Sequence, residues 1–279
     1  MNYRHEFHAG NFADVHKHAV LARILVHLAV KPAAFRVIDT HGGAGRYDLR
    51  GEAATRGREW PNGIGRLWRA PLLQPAAALL KPYMDAVAAF NPGGELRTYP
   101  GSPLIALSAM RPQDRLIACE LEPRAAAGLK VALRGDARAK VLAMDGWTAL
   151  GAMVPAKERR GLVLIDPPFE AEDEFTKLSS ALGTAHRKWP TGIYLLWYPI
   201  KDRNAPDALA RRLRRLAIAK MLRCEISSGS IGPGLTGSGL IVVNPPFKLE
   251  NELRVLLPAL CQVFPFKSAW RVDWLADEN

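Results

Sequence analysis

From Asp114 onward the chain alternates between two textures, and this alternation limits its fold more than any other feature. DRLIACELEP is an apolar run of strand length, and RAAAGLKVALR after it reads as a helix. The pattern repeats as AKVLAMDGW then WTALGAMV, RRGLVLIDPPF then EDEFTKLSSALGTAHRKW, and GIYLLWYPI then APDALARRLRRLAIA. Strands separated by helices pair in parallel, because a parallel pairing needs a long crossover. The expected class is α/β, a doubly wound parallel sheet. KMLRCEISS and SGLIVVNPPF have no helix between them, so they predict an antiparallel hairpin at one side of the sheet.

Upstream, Val15, Ala19, Ala22, Leu25, Val26 and Ala29 recur at spacings of three and four, which predicts a helix over 12–30. FRVIDTHGGAGRY reads as a short buried strand entering a glycine-rich strand-to-helix turn. Residues 50–100 are alanine-rich helical stretches broken by Pro and Gly clusters. They read as an inserted helical subdomain within one domain spanning 1–279, followed by a helix in PGSPLIALSAM. The resulting order, seven strands with a terminal hairpin, resembles the Rossmann-like class I S-adenosylmethionine-dependent methyltransferase fold.

Composition narrows the partners. The 279 residues carry 38 basic and 27 acidic side chains, a net charge of +11, which fits a polyanion such as nucleic acid. Three scattered cysteines, Cys119, Cys224 and Cys261, argue against a disulfide framework and against a Cys-x-x-Cys zinc site. MNYRHEFHAG has no signal-peptide apolar stretch, and AVLARILVHLAV is interrupted by Arg23 and His27 and too short to span a bilayer. A soluble cytoplasmic protein is expected, with no membrane partner.

In sheets of this class, ligands sit beyond the carboxyl ends of the strands. The first tip, DTHGGAGRYDL, has glycines at 42, 43 and 45 but Asp48 where a dinucleotide fingerprint needs its third glycine. The second, CELEP, places Glu120 where a carboxylate can accept both ribose hydroxyls of an adenosine-containing cofactor. The third, MDGW, places Asp145 within reach of an adenine amine. The fourth is IDPPF. An adenine amine is a poor nucleophile because its lone pair is delocalised into the ring. A carboxylate and a proline carbonyl accepting its two hydrogens would favour the pyramidal, nucleophilic form, and Phe169 offers a face for the extruded base. A second copy, VNPPF, follows the seventh strand. Asp166 is therefore the expected catalytic acceptor, and Asn244 belongs to a strand-ending turn that helps shape the pocket.

YRHEFHAGNFADVHKH, IDTHGGAGRYDL, YPGSPLIA, LIDPPF and GLIVVNPPFKLE together resemble the RlmJ family, bacterial 23S ribosomal RNA adenine-N6 methyltransferases. The resemblance runs from Tyr3 to about Glu250. It implies S-adenosyl-L-methionine held by His18, His41, Ser102, Glu120, Asp145, Gly146 and Asp166, with Asp166 catalytic. Tyr3 is implied as an RNA contact, with His5 and Lys17 nearby. Lys17 can pair with phosphate or with the donor's carboxylate. Phe169 departs from the family's tyrosine, so the stacking face survives without the hydroxyl. His5, His8, His16 and His18 invite a zinc reading, but H-E-F-H is one residue short of H-E-x-x-H, and no metal is expected. The arginines of ALARRLRRLAIAK read as a solvated helix face. A monomer acting on 23S ribosomal RNA is the leading expectation. The same chemistry on DNA or on a glutamine amide, and a non-catalytic nucleic-acid-binding protein, are the rivals.

Overall fold

Successive residues of the central strands divide between two cores. In β6 (Gly161–Ile165), Leu162 and Leu164 join one apolar cluster while Val163 and Ile165 join the other, and all five residues are buried. That period of two, apolar on both faces, is what a strand covered by helices on both sides requires. The computed structural model describes residues 4–171, 173–228 and 234–276.

Before β6 the chain forms α1 (Phe12–Val30), β1 (Arg36–Asp39), β2 (Arg46–Asp48), α2 (Glu52–Gly57), α3 (Ile64–Leu67) and α4 (Ala76–Ala89). There follow β3 (Thr98–Pro100), α5 (Ser102–Ala109), β4 (Arg115–Cys119), α6 (Pro123–Ala132), β5 (Ala139–Leu142) and α7 (Gly146–Met153). After β6 come α8 (Glu174–Lys188), β7 (Ile193–Ile200), α9 (Asn204–Arg214), β8 (Met221–Ser227), β9 (Gly237–Val243), α10 (Leu249–Val263) and β10 (Ala269–Ala276).

The main sheet has the order β10-β8-β9-β7-β6-β1-β4-β5, and β2 and β3 form a separate two-stranded ribbon. Strands β5, β4, β1, β6 and β7 are mutually parallel. The chain leaves β1 toward β4 and β5 on one side, then returns to β6 and β7 on the other. This reversal opens a crevice at the carboxyl ends of β1 and β6. Helices α1, α4, α5, α6 and α10 cover one face, and α7, α8 and α9 cover the other.

Helix α1 is buried on nearly every side, including Asp14, His16, Lys17, His18 and Arg23. Several of its polar groups are paired within the protein: His16 Nδ1 lies 3.0 Å from Ser238 Oγ, and Arg23 grips both oxygens of Glu252 at 2.8 and 2.9 Å.

The structure departs from the sequence reading in several places. The main sheet has eight strands rather than seven. The extra one, β10, is an antiparallel edge strand of which only Val272 and Leu275 are buried, so its sequence lacks a clear apolar alternation. The pair β8 and β9 is antiparallel as expected, but it is not at the side: β9 lies between β7 and β8, with β10 beyond. The glycine turn after β1 leads into β2 rather than a helix, because Arg46, Tyr47 and Asp48 pair with Pro100, Tyr99 and Thr98.

Antiparallel β9 also explains the two Pro-Pro-Phe motifs. Val243 pairs with Tyr194 near the start of β7, so VNPPF lies at the amino ends of the parallel strands, opposite the crevice. It does not shape the pocket. Asn244 adopts a left-handed φ of 52°, and its Nδ2 donates to the carbonyls of Pro190 (2.7 Å) and Gly192 (2.8 Å). Asn244→Ala should cost about 1–3 kcal/mol of stability by leaving those carbonyls without the donor, and leave ligand binding at the crevice intact. Urea denaturation read beside calorimetry of the folded variant checks both; an unchanged midpoint would rule out the tie.

Candidate active site

The crevice contains a cavity of about 410 Å³. His5, Lys17, His18, His41, Ser102, Glu120, Asp145, Gly146 and Asp166 all line it, although they come from widely separated stretches of chain. Tyr3 falls outside the described residues. Phe169 is partly exposed but is not among the lining residues. Its ring packs against Phe175 and Trp197, with centroids 4.7 and 5.7 Å apart.

Asp166 follows the last residue of β6, and Pro167 after it restricts its backbone to extended conformations. Its Oδ2 accepts from Lys17 Nζ, which also donates to Asp14 Oδ1 at 2.9 Å. Asp14 Oδ2 accepts in turn from the Gly10 amide (2.9 Å) and His5 Nε2 (3.0 Å). Burial alone would lower the Lys17 pKa, but Asp14 and Asp166 more than offset it and hold Lys17 above the ordinary lysine value. Lys17 is thus a permanent cation bridging α1 and the tip of β6.

The first two strand tips are tied together through Glu120. Its Oε2 accepts from the Gly43 amide and its Oε1 from the Glu122 amide, both at 2.9 Å. Gly43 has φ +58°, and a Cβ there would lie 2.1 Å from the Tyr47 hydroxyl, so only glycine fits. The third tip presses on the first: a Cβ on Gly146 would lie 2.4 Å from the Thr40 carbonyl and 2.6 Å from the His41 ring. Asp145 caps α7, accepting from the Thr148 amide at 2.8 Å and its hydroxyl at 2.9 Å.

Two of the cavity histidines, His18 and His41, are held in the neutral form. Burial pushes His41 down to about 4 and His18 to about 3. His41 Nδ1 lies 2.8 Å from Thr40 Oγ1, and its ring meets the edge of Trp147. His18 Nδ1 is engaged by the Tyr99 hydroxyl at 2.7 Å, and Nε2 is buried with no protein partner. Such a group calls for a ligand. Six acidic side chains and three basic ones line the cavity, a balance suited to a cationic ligand.

Sequence reasoning missed four contributors. Asp39 ends β1 and accepts from Ser102 Oγ at 2.6 Å; burial pushes its pKa up to about 7. The signal was available, since Asp39 closes an apolar run as Asp166 does. Asp14 gives no such signal, because acids are common in first helical turns. Trp147 and Glu174 reach the cavity only through the packing of α7 and α8. Glu174 is buried with Oε2 unpartnered, and burial raises its pKa.

Among the described residues there is no cluster of side chains able to hold a metal, and no helix long and apolar enough to cross a membrane. The family described as ribosomal RNA large subunit methyltransferase D, RlmJ, matches residues 32–276. Ribosomal RNA large subunit methyltransferase J of Escherichia coli is 42% identical over 93% of this chain and 92% of its own length. The Haemophilus influenzae protein of the same name is 38% identical over the whole of both chains. The crystal structure of protein LPL1258 from Legionella pneumophila superposes with a TM-score of 0.88 at 34% identity, covering 95% of this chain and 98% of that one. A probable spermidine synthase from Corynebacterium glutamicum, at 12% identity and a TM-score of 0.51 over 94% of this chain and 75% of its own, shares the fold alone. With a family match over most of its length and close relatives end to end, this chain belongs to the RlmJ family of ribosomal RNA large subunit methyltransferases.

Proposed function

We propose that this enzyme transfers a methyl group from S-adenosyl-L-methionine to the exocyclic N6 amine of an adenine in 23S ribosomal RNA, giving N6-methyladenine. The observation that carries the reading is Asp166-Pro167-Pro168 at the end of β6, the fourth strand of the main sheet in chain order, on the wall of an acid-rich cavity. The names of the relatives favour RNA over DNA or a glutamine amide, and the net charge of +11 agrees. We further propose a cytoplasmic monomer, with residues 50–100 as an inserted helical subdomain.

The cofactor supplies an electrophilic methyl group on a cationic sulfur. Glu120 is suited to its ribose hydroxyls, Asp145 to its adenine amine, and the free Nε2 of His18 to its polar end. His41, Ser102, Gly146 and Lys17 complete that wall. Asp166 is the catalytic residue: it accepts one hydrogen of the target amine while the Pro167 carbonyl accepts the other. Lys17 fixes the orientation of Asp166, so little rearrangement is needed when the base arrives. Tyr3, His5 and the exposed face of Phe169 are assigned to the base and its strand.

Four variants and one deletion strain test this assignment. Asp166→Ala should lower kcat by at least about 100-fold, as expected when an interaction made mainly in the transition state is lost. Asn244→Ala should retain turnover per folded molecule, and the reverse result would exchange the roles of the two motifs. Glu120→Ala should weaken donor binding roughly 10- to 100-fold through the loss of charge-assisted hydrogen bonds of about 1.5–3 kcal/mol; unchanged calorimetry would remove Glu120 from the cofactor. Tyr3→Ala should cut methylation of a 23S ribosomal RNA fragment while sparing donor affinity, and equal rates would exclude the N-terminal segment from the RNA site. Mass spectrometry of 23S ribosomal RNA from a strain lacking the protein identifies the reaction itself, by a missing N6-methyladenine.

A further inference from the structure

Among the exposed arginines of the described residues, two groups lie at opposite ends of the sheet. One is Arg211, Arg212 and Arg215 at the end of α9. The other is Arg58, Arg66 and Arg69, in the segment running from the end of α2 past α3. None of these six is in an ion pair among the described residues.

Chain topology separates the two groups. Helix α9 starts after Ile200, at the carboxyl end of β7, and runs back to Met221, which shares Val243 as a pairing partner with Tyr194 at the start of β7. Its last turn therefore lies at the amino ends of the parallel strands, beside Asn244. Ile165 pairs with Leu196, so Asp166 is level with Trp197. The four residues back to Ile193, at about 3.3 Å each, put that turn roughly 13 Å from the level of Asp166, on the other side of the sheet's midline.

The other group is fastened to the cavity wall. His5 and Glu6 line the cavity, and the residues after them are clamped by the segment carrying the arginines. Glu59 takes His8 Nδ1 and Asn11 Nδ2, each at 2.8 Å, and the Ile64 amide donates to the Gly10 carbonyl at 2.8 Å. Gly57 and Gly63 touch the backbone of Phe7 and of Gly10 and Asn11 so closely that a Cβ on either would overlap it, at 2.1 and 2.2 Å. Nearby acids are already engaged: Glu59 as above, and Glu52 with Arg56 at 3.5 Å. Arg58, Arg66 and Arg69 are left without an ion-pair partner among the described residues, on the segment that clamps the chain just after His5 and Glu6.

We propose that the RNA strand flanking the target adenine lies across this segment, with Arg58, Arg66 and Arg69 contacting its phosphates, and that the α9 arginines take no part. The inference rests on the reading of the protein as an RNA methyltransferase. An adenine held by Asp166 must enter at the carboxyl ends of the strands, so its flanking phosphates pass close to the segment around Arg58. Guanidinium groups suit them, binding phosphate oxygens through paired N–H donors.

The experiment compares wild type with two charge-matched triples, R58Q/R66Q/R69Q and R211Q/R212Q/R215Q. Binding to protein-free 23S ribosomal RNA is measured across salt concentrations, with thermal melting and donor calorimetry confirming folded protein. Losing three phosphate contacts should make the slope of log affinity against log salt shallower by about 2 in the first triple, at about 0.7 per single-stranded phosphate, and raise the KM for RNA. The α9 triple should keep the wild-type slope. Equal losses in both triples, or a larger loss in the α9 triple, would overturn the proposal. So would a wild-type slope in the first triple while wild type methylates the RNA, which leaves the enzymatic reading standing. A wild type that methylates no RNA would overturn both.

Discussion

The ammonium of Lys17 is the joint on which the site depends. It is buried between Asp14 on its own helix and Asp166 at the tip of β6, and it remains charged because two carboxylates face it. Removing one member of such a group strands a charge in the interior, at a cost of about 3–5 kcal/mol. The arrangement accounts for the character of α1, which carries polar residues inward on several sides. A helix with only one apolar face could not place Asp14 and Lys17 inside while also offering His16 to β9 and Arg23 to α10.

The strand tips form a second network around that joint. Glu120 holds the turn after β1 to the loop after β4, and Gly146 lets the loop after β5 rest against Thr40 and His41. These contacts fix loop backbones rather than side chains alone, so the cavity wall is largely preorganised. Among the described residues of this wall, Nε2 of His18 and Oε2 of Glu174 are buried without a hydrogen-bond partner from the protein.

Much of this was legible in the sequence. The parallel core could be read because fully buried strands appear as continuous apolar runs, and strand-ending acids such as Glu120 and Asp166 stand out against them. Edge elements were harder. β10 alternates charged and apolar residues without a clean period, and the three-residue strands β2 and β3 are too short to show one. Of the two Pro-Pro-Phe motifs, order along the chain favoured the first, but only strand direction shows that the second faces the other way. Asp14 was invisible because its importance comes from Lys17 and His5, partners that composition cannot link.

The position of β9 has a consequence for biosynthesis. It is inserted between two strands made before it, and through Ser238 it touches His16, in the first helix of the chain. Until residue 243 has been synthesised, β7 lacks its outer neighbour, and α1 lacks part of the surface that buries it. A nascent chain can therefore form the βα repeats in order yet hold Lys17 insecurely, with an unpaired strand edge open to other chains. The packing around α1 and β7 is complete only after β9 has been made.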